Sequence, residues 1–141
     1  MELTESDARV FFKEGMSDAE LDEHEDAIKN YDKALEIIED AEIYLNKGIS
    51  LAELEKYENA LECYNKAIEL DANDPLSWYN KGVVLTSLDK IDESIECYDK
   101  AIELDANDPD PWNNKGELLE ELGKEEEANK CFDKVDELEA E

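Results

Sequence analysis

Apolar residues recur along the chain at the spacing of amphipathic helices, in paired segments separated by short polar turns. In the clearest pair, the first segment carries Trp78, Gly82, Leu85 and Leu88, and the pattern restarts after Asp89-Lys90. The second segment continues with Ile91, Ile95, Tyr98, Ala101 and Ile102. Steps of three and four residues place such side chains on one face of a helix. The stretch therefore predicts two antiparallel helices joined by a tight turn.

The same pair of helices is encoded more than once. Residues 41–74 align with residues 75–108 at 18 of 34 positions, including Asn-Lys-Gly, Glu-Cys-Tyr and Lys-Ala-Ile-Glu-Leu-Asp-Ala-Asn-Asp. Weaker copies extend the pattern in both directions, giving repeat 1 (8–40), repeat 2 (41–74), repeat 3 (75–108) and repeat 4 (109–141), after a lead-in of residues 1–7. Self-similarity at this period predicts stacked helix pairs in a single array of repeats.

Two dipeptides mark the starts of helices. Asp74-Pro75 and Asp108-Pro109 open repeats 3 and 4. Aspartate is a favoured N-cap, and proline is tolerated at the first helical position because its missing N–H has no partner there. We therefore interpret these dipeptides as joints and not as binding motifs.

The positions that recur resemble those of the tetratricopeptide repeat family, a 34-residue helix–turn–helix unit. Each repeat has an aromatic fourth position and a glycine eighth position, namely Phe11, Tyr44, Trp78, Trp112 and Gly15, Gly48, Gly82, Gly116. Position 20 is small, position 24 aromatic and position 27 small or β-branched, as in Ala60, Tyr64 and Ala67. The resemblance implies an all-α fold, a right-handed superhelical α-solenoid of four units. Lysines 47, 81 and 115 depart from the family's usual leucine at position 7, and we expect their stems to lie on apolar surface with the ammonium groups in water.

The chain is strongly acidic. It has 42 acidic and 14 basic residues, a formal net charge of −28, and Arg9 as its only arginine. This charge repels phosphate backbones and anionic lipids, so neither nucleic acid nor membrane is an expected partner. No apolar run approaches the length of a transmembrane helix, and Met1-Glu2-Leu3-Thr4-Glu5 lacks the layout of a signal peptide. We expect a cytoplasmic protein.

Residues that could carry chemistry are explained by the repeat. Cys63, Cys97 and Cys131 occupy the same position in successive repeats, which predicts packing thiols in a reducing compartment. His24 has no cysteine or serine close in sequence with which to form a nucleophile pair. The Asp-Ala-Asn-Asp segments begin like a calcium loop but lack its glycine and final glutamate. The sequence thus predicts no enzyme activity, no metal and no cofactor.

The resemblance also implies which side chains face a ligand, because first helices line the concave face of family members. Positions 2, 5, 6 and 9 supply an apolar floor with an asparagine ladder beside it, and the face turns acidic in repeat 4. The implied groove residues are Phe12, Met16, Leu45, Asn46, Ile49, Leu76, Tyr79, Asn80, Val83, Asn113, Asn114 and Glu117. Asparagine both donates and accepts hydrogen bonds, so such a ladder could hold a peptide backbone. The alternative is that asparagine at position 6 is family framework on an inert face.

Chaperone-tail binders of this family hold a terminal carboxylate with lysine and arginine at positions 2, 5 and 6. Repeats 2–4 have no basic residue at these positions, so we expect a ligand with apolar and basic groups instead. The predicted function is a non-enzymatic interaction scaffold for a peptide or helix of another protein. The alternative is a structural module that forms homo-oligomers through its groove or ends. Repeat 4 favours a monomer, because Glu125, Asn129 and Asp136 stand where earlier repeats have apolar contacts.

Overall fold

The computed structural model describes residues 1–140, and Glu141, the last residue of repeat 4, lies outside the described residues. Within that range all regular structure is α-helical, as predicted. The chain divides into two compact units, which we call the N-terminal body, Met1–Ala72, and the C-terminal body, Asn73–Glu141. Each body contains two of the predicted repeats.

The N-terminal body holds repeats 1 and 2 as two antiparallel helix pairs. Its helices are α1 (Glu5–Glu20), α2 (His24–Ile37), α3 (Ala41–Glu53) and α4 (Tyr57–Leu70). The C-terminal body holds repeats 3 and 4 in the same manner. Its helices are α5 (Pro75–Ser87), α6 (Ile91–Leu104), α7 (Pro109–Glu121) and α8 (Glu125–Glu139).

Local sequence explains where the first helices begin. Asp74 and Asp108 accept hydrogen bonds from the N–H groups of Leu76 and Asp110, with proline at the first helical position, as the dipeptides predict. Helix α1 starts earlier than expected, within the predicted lead-in. Its start is fixed by Thr4, whose N–H donates to the Asp7 carboxylate at 2.7 Å while its hydroxyl accepts from the Asp7 N–H.

The turn inside each repeat uses one residue in the left-handed region at position 15. Asp22, Glu55 and Asp89 each have φ of 61°, and Gly123 has φ of 77°. Residues with a Cβ adopt this conformation at a cost, and glycine adopts it freely. Repeat 4 alone has the residue that the turn favours.

A close approach between the two helices of each repeat explains the glycine at position 8. A Cβ built on Gly15 would lie 2.6 Å from the Tyr31 ring, and one on Gly82 would lie 2.7 Å from the Tyr98 ring. The same clash arises at Gly48 with Tyr64 and at Gly116 with Phe132. The planar ring at position 24 therefore packs directly on the backbone at position 8, which leaves no room there for a side chain.

The lysines at position 7 join neighbouring helices. Lys47 Nζ lies 2.6 Å from Asp32 Oδ1, and Lys115 Nζ lies 2.5 Å from Asp99 Oδ1. In both cases the ammonium group pairs with an aspartate at position 25 of the preceding repeat, and both ion pairs remain partly exposed. Lys81 instead lies over the Trp78 ring, 5.6 Å from its centroid.

The outer surface is polar where the sequence predicts it. Glu125, Asn129 and Asp136 are all exposed on α8. Among the helices of residues 1–140, none combines the length and apolarity needed to cross a bilayer.

Candidate protein-interaction site

The implied groove residues fall on the first helices of both bodies. Phe12, Met16, Leu45, Asn46 and Ile49 belong to the N-terminal body. Leu76, Tyr79, Asn80, Val83, Asn113, Asn114 and Glu117 belong to the C-terminal body. Leu76, Met16 and Val83 are exposed, while Phe12, Ile49 and Tyr79 are half-buried. The two sets are described separately below.

Leu45 corrects the expectation of an open apolar floor, because only 5% of it is exposed. In repeats 1 and 3 the residue at position 5 is aromatic and packs on the ring at position 24. The ring centroids of Phe12 and Tyr31 are 5.9 Å apart, and those of Tyr79 and Tyr98 are 5.8 Å apart. Leu45 occupies this position in repeat 2, where no aromatic residue stands.

Two depressions on the first-helix faces, one in each body, lie at equivalent places in the repeats. The N-terminal depression has a volume of about 380 Å³ and is bordered by Met16, Glu20, Tyr31, Asn46, Ile49 and Glu53. The C-terminal depression has a volume of about 200 Å³ and is bordered by Val83, Thr86, Tyr98, Asn114, Glu117 and Glu121. Both join positions 9 and 24 of one repeat to positions 6, 9 and 13 of the next. The sequence identified the asparagine and position-9 residues of these depressions, but not the tyrosine at position 24.

The asparagine ladder is anchored by hydrogen bonds inside the protein. Asn46 Nδ2 donates to the Glu42 carbonyl at 2.8 Å, and Asn80 Nδ2 donates to the Leu76 carbonyl at 2.9 Å. Asn114 Nδ2 donates to the hydroxyls of Tyr79 and Tyr98. These bonds orient the amides. The side-chain oxygens of Asn46 and Asn80 remain as acceptors, and each of these two amides also keeps one N–H as a donor.

A buried hydroxyl network supports the C-terminal depression. Ser94, which replaces the family's alanine at position 20, donates to the Gly82 carbonyl at 2.6 Å. Thr86 Oγ1 lies 2.7 Å from Ser94 Oγ and 3.5 Å from the Tyr98 hydroxyl. Burial raises the pKa of Tyr79, although the bond from Asn114 opposes this shift. Tyr79 is therefore a neutral hydrogen-bonding group near neutral pH.

The apolar and amide groups are accompanied by carboxylates. Glu20, Glu53, Glu117 and Glu121 are all exposed at the borders of the depressions. Asn113 Nδ2 donates to Glu117 Oε1 at 3.2 Å and so positions that carboxylate. Both depressions thus combine apolar surface, acceptor oxygens and negative charge.

His24 has a serine neighbour that the sequence separation concealed. Its Nδ1 lies 3.2 Å from Ser50 Oγ, and its Nε2 lies 3.6 Å from Asp22 Oδ1. The set differs from a hydrolase triad, because Ser50 is only 1% exposed and is fully covered by protein. We interpret His24 as the hydrogen-bond partner of a buried hydroxyl.

The cysteines behave as packing residues. Cys63, Cys97 and Cys131 are buried and unpaired. Burial raises the pKa of Cys63 and of Cys97 to about 11, and it also raises the pKa of Cys131. Reactive thiols need a lowered pKa. Among residues 1–140, no group of three or more histidine, cysteine or acidic side chains is arranged to hold a metal ion.

Comparison with known proteins identifies the helix pairs. The sequence matches a tetratricopeptide repeat profile over residues 8–40 and 109–141 and a TPR repeat profile over 48–89 and 84–123. No curated protein matches the chain in sequence.

Solved structures of similar fold include MamA, YrrB and one peptide complex. MamA is 25% identical, with a TM-score of 0.91 over 94% of this chain and 78% of that chain. YrrB, described as a TPR protein with an unusual peptide-binding site, is 23% identical, with a TM-score of 0.84 over 95% of this chain and 70% of that chain. The first TPR domain of Spaghetti (RPAP3), bound to the HSP90 peptide SRMEEVD, is 19% identical, with a TM-score of 0.83 over 87% of this chain and 98% of that chain. These similarities confirm the predicted all-α helical repeat fold.

Proposed function

The chain belongs to the tetratricopeptide repeat family, and from this premise we propose that it is a non-enzymatic scaffold that binds a peptide or helix of another protein. The first-helix faces of the repeats are the proposed binding surface. Peptide binding by YrrB and by the RPAP3 domain supports a role of this kind.

One observation supports this particular face as the binding surface. Equivalent depressions recur in the two bodies, and each combines exposed apolar groups with acceptor oxygens and carboxylates. The carboxylates and amide oxygens at these depressions suit a ligand that supplies positively charged donors. We therefore infer a partner segment with basic and apolar side chains, unlike the acidic-rich peptide in the RPAP3 complex.

Selection of peptides from a random 12-residue display library tests this function. We expect the enriched peptides to carry lysine or arginine beside leucine, isoleucine or an aromatic residue. Their binding, measured by fluorescence polarisation, should weaken at least fivefold when Met16→Ser and Val83→Ser are combined, since both side chains are 36% exposed on the first-helix face.

The matched control is Leu70→Ser, which removes an exposed leucine at the end of the second helix α4. This variant should bind as the parent does. If no peptide is selected, or if Leu70→Ser weakens binding as much as the double variant, the proposed binding face is wrong.

Self-association is a second candidate with its own observation. Val10, at position 3 of repeat 1, is 52% exposed, whereas Ile43 and Pro111 are buried at the same position of repeats 2 and 4. Light scattering over a range of concentrations separates the candidates, because Val10→Ser should abolish an oligomer formed through α1. We propose that the protein is a monomer.

We also propose that the protein is located in the cytoplasm, since three unpaired thiols suit a reducing compartment.

A further inference from the structure

The N-terminal depression contains a polar group for which the protein supplies no partner. Tyr31 borders it and is 1% exposed. The Tyr31 hydroxyl makes no hydrogen bond with any of residues 1–140. Every fully buried side-chain nitrogen or oxygen in that range has a partner, so this unpaired oxygen is not fully buried. The hydroxyl is therefore the part of Tyr31 that reaches the depression. A side chain buried to this extent normally has its polar atom bonded.

Comparison with the other body explains why this hydroxyl is unpaired. Tyr98, at the same position of repeat 3, is bonded to Thr86 and to Asn114. In the N-terminal body the residue equivalent to Thr86 is Ala19, which has no hydroxyl. The residue equivalent to Asn114 is Asn46, whose Nδ2 donates to the Glu42 carbonyl. Neither of the groups equivalent to the partners of Tyr98 therefore bonds the Tyr31 hydroxyl.

The surroundings of the hydroxyl favour a cation. Glu20, Asp22 and Glu53 border the depression, and all three are exposed. Burial, with the negative charges of Asp18 and Glu20, raises the pKa of Tyr31 to about 12, so the hydroxyl stays protonated near neutral pH. His24 also borders the depression, but its Nδ1 is engaged with Ser50. The oxygens of Tyr31 and Asn46 remain as acceptors.

We propose that the N-terminal depression is a subsite for one lysine or arginine side chain of the partner segment. The cationic head donates to the Tyr31 hydroxyl oxygen and to Asn46 Oδ1, near the carboxylates of Glu20 and Glu53. The aliphatic stem lies on Met16 and Ile49, which border the same depression. This inference rests on the proposed function and gives that function a site with defined chemistry.

Titrations followed by NMR test the subsite with two small probes. The first is Nα-acetyl-lysine-N-methylamide, and the second is its norleucine analogue, which keeps the stem and lacks the ammonium group. We expect the lysine probe to shift the amide signals of Met16, Asn46 and Ile49 and to bind at least tenfold more tightly than the norleucine probe. The arginine analogue should bind at the same place. Equal binding of lysine and norleucine probes would overturn the proposal.

Tyr31→Phe removes only the hydroxyl oxygen. Phe132 occupies position 24 in repeat 4 and packs against Gly116, so this position accepts phenylalanine. We expect the affinity for the lysine probe to fall about tenfold, as for loss of a hydrogen bond to a charged group. Far-UV circular dichroism and thermal unfolding of the variant establish that it is folded. Unchanged affinity in a folded Tyr31→Phe variant would contradict the assignment.

A charge-matched pair of variants separates a built site from general attraction. Glu20→Gln with Glu53→Gln removes two carboxylates from the depression, and Glu36→Gln with Glu62→Gln removes two exposed carboxylates from second helices. The first pair of substitutions should lower the affinity for the lysine probe at least fivefold, and the second pair should lower it less than twofold. Equal losses would show attraction to net charge alone and would overturn the subsite. If the lysine probe does not bind while binding of the selected peptides still depends on Met16 and Val83, the subsite is wrong and the proposed function stands.

Discussion

The side-chain nitrogen of Asn114 lies 3.1 Å from the hydroxyl oxygen of Tyr79, so repeat 4 holds an aromatic ring that repeat 3 presents on its first helix. The Tyr79 ring also packs on Tyr98. Tyr79 is therefore a structural residue as well as an implied ligand contact. This finding changes what its substitution should do.

We expect Tyr79→Phe to lower the free energy of unfolding by about 1 kcal/mol, because one hydrogen bond is lost. Tyr79→Ala should cost about 2–3 kcal/mol, because the contact with Tyr98 is lost as well. Urea unfolding followed by circular dichroism measures both. The control is Tyr44→Phe, whose hydroxyl bonds only the exposed Glu39 and should matter little. A Tyr79→Ala variant as stable as its parent would show that the ring is not part of the packing.

The Lys47–Asp32 ion pair joins α2 to α3, and 24% of the lysine side chain is exposed. A double-mutant cycle with Lys47→Met and Asp32→Asn should give a coupling energy of about 0.5–1 kcal/mol, reduced in 1 M NaCl by screening. Lys115→Met with Asp99→Asn repeats the test in the C-terminal body. The exposed pair of Lys66 and Glu69 serves as the control and should couple more weakly. Equal coupling energies in all three ion pairs would mean that partial burial does not strengthen the interaction.

The left-handed turn residue offers a reciprocal exchange. Glu55→Gly should raise the free energy of unfolding by about 0.5–1 kcal/mol, since glycine adopts positive φ without a Cβ penalty. Gly123→Glu should lower the free energy of unfolding by a similar amount. No atom lies within 4 Å of the Cβ that this change adds, so a steric clash does not contribute. Thermal unfolding compares the two variants. Shifts of the same sign would contradict this account of the turn.

Thiol reactivity should follow unfolding. With a pKa of about 11, Cys63 and Cys97 have a thiolate fraction of about one in a thousand at pH 8. Because the shift is upward, the rate of labelling by a disulfide reagent should rise as pH increases toward 11. At pH 8 we expect slow labelling of the folded protein and rapid labelling in guanidinium chloride. Rapid labelling of folded protein would place the thiols at the surface.

The polar surface of α8 can be tested by making it apolar. Glu125→Ile, Asn129→Ile and Asp136→Ile together should produce concentration-dependent association, because the three exposed positions would form an apolar stripe. Light scattering should find the parent monomeric. A parent that already associates through α8 would instead favour the self-association candidate.

Features that depend on spacing within one repeat could be predicted from sequence. The Asp-Pro helix starts and the helix–turn–helix pairs are examples, because position alone determines them. Features that join neighbouring repeats could not. The bond between His24 and Ser50 joins residues 26 positions apart. The burial of Leu45 does not follow from its position, since Phe12 and Tyr79 at the same position are half-buried. The amide of Asn114 donates to hydroxyls of the preceding repeat.

The orientation of Asn46 has a consequence for the partner's chemical state. An acceptor responds to the number of hydrogens on the nitrogen that approaches it, and not only to its charge. Trimethylation of a lysine keeps the positive charge but removes every N–H donor. At the Tyr31 depression such a lysine would keep its attraction to Glu20 and Glu53 and lose both hydrogen bonds. The bond that holds Asn46 to its own helix thereby lets this surface distinguish a modified side chain from an unmodified one.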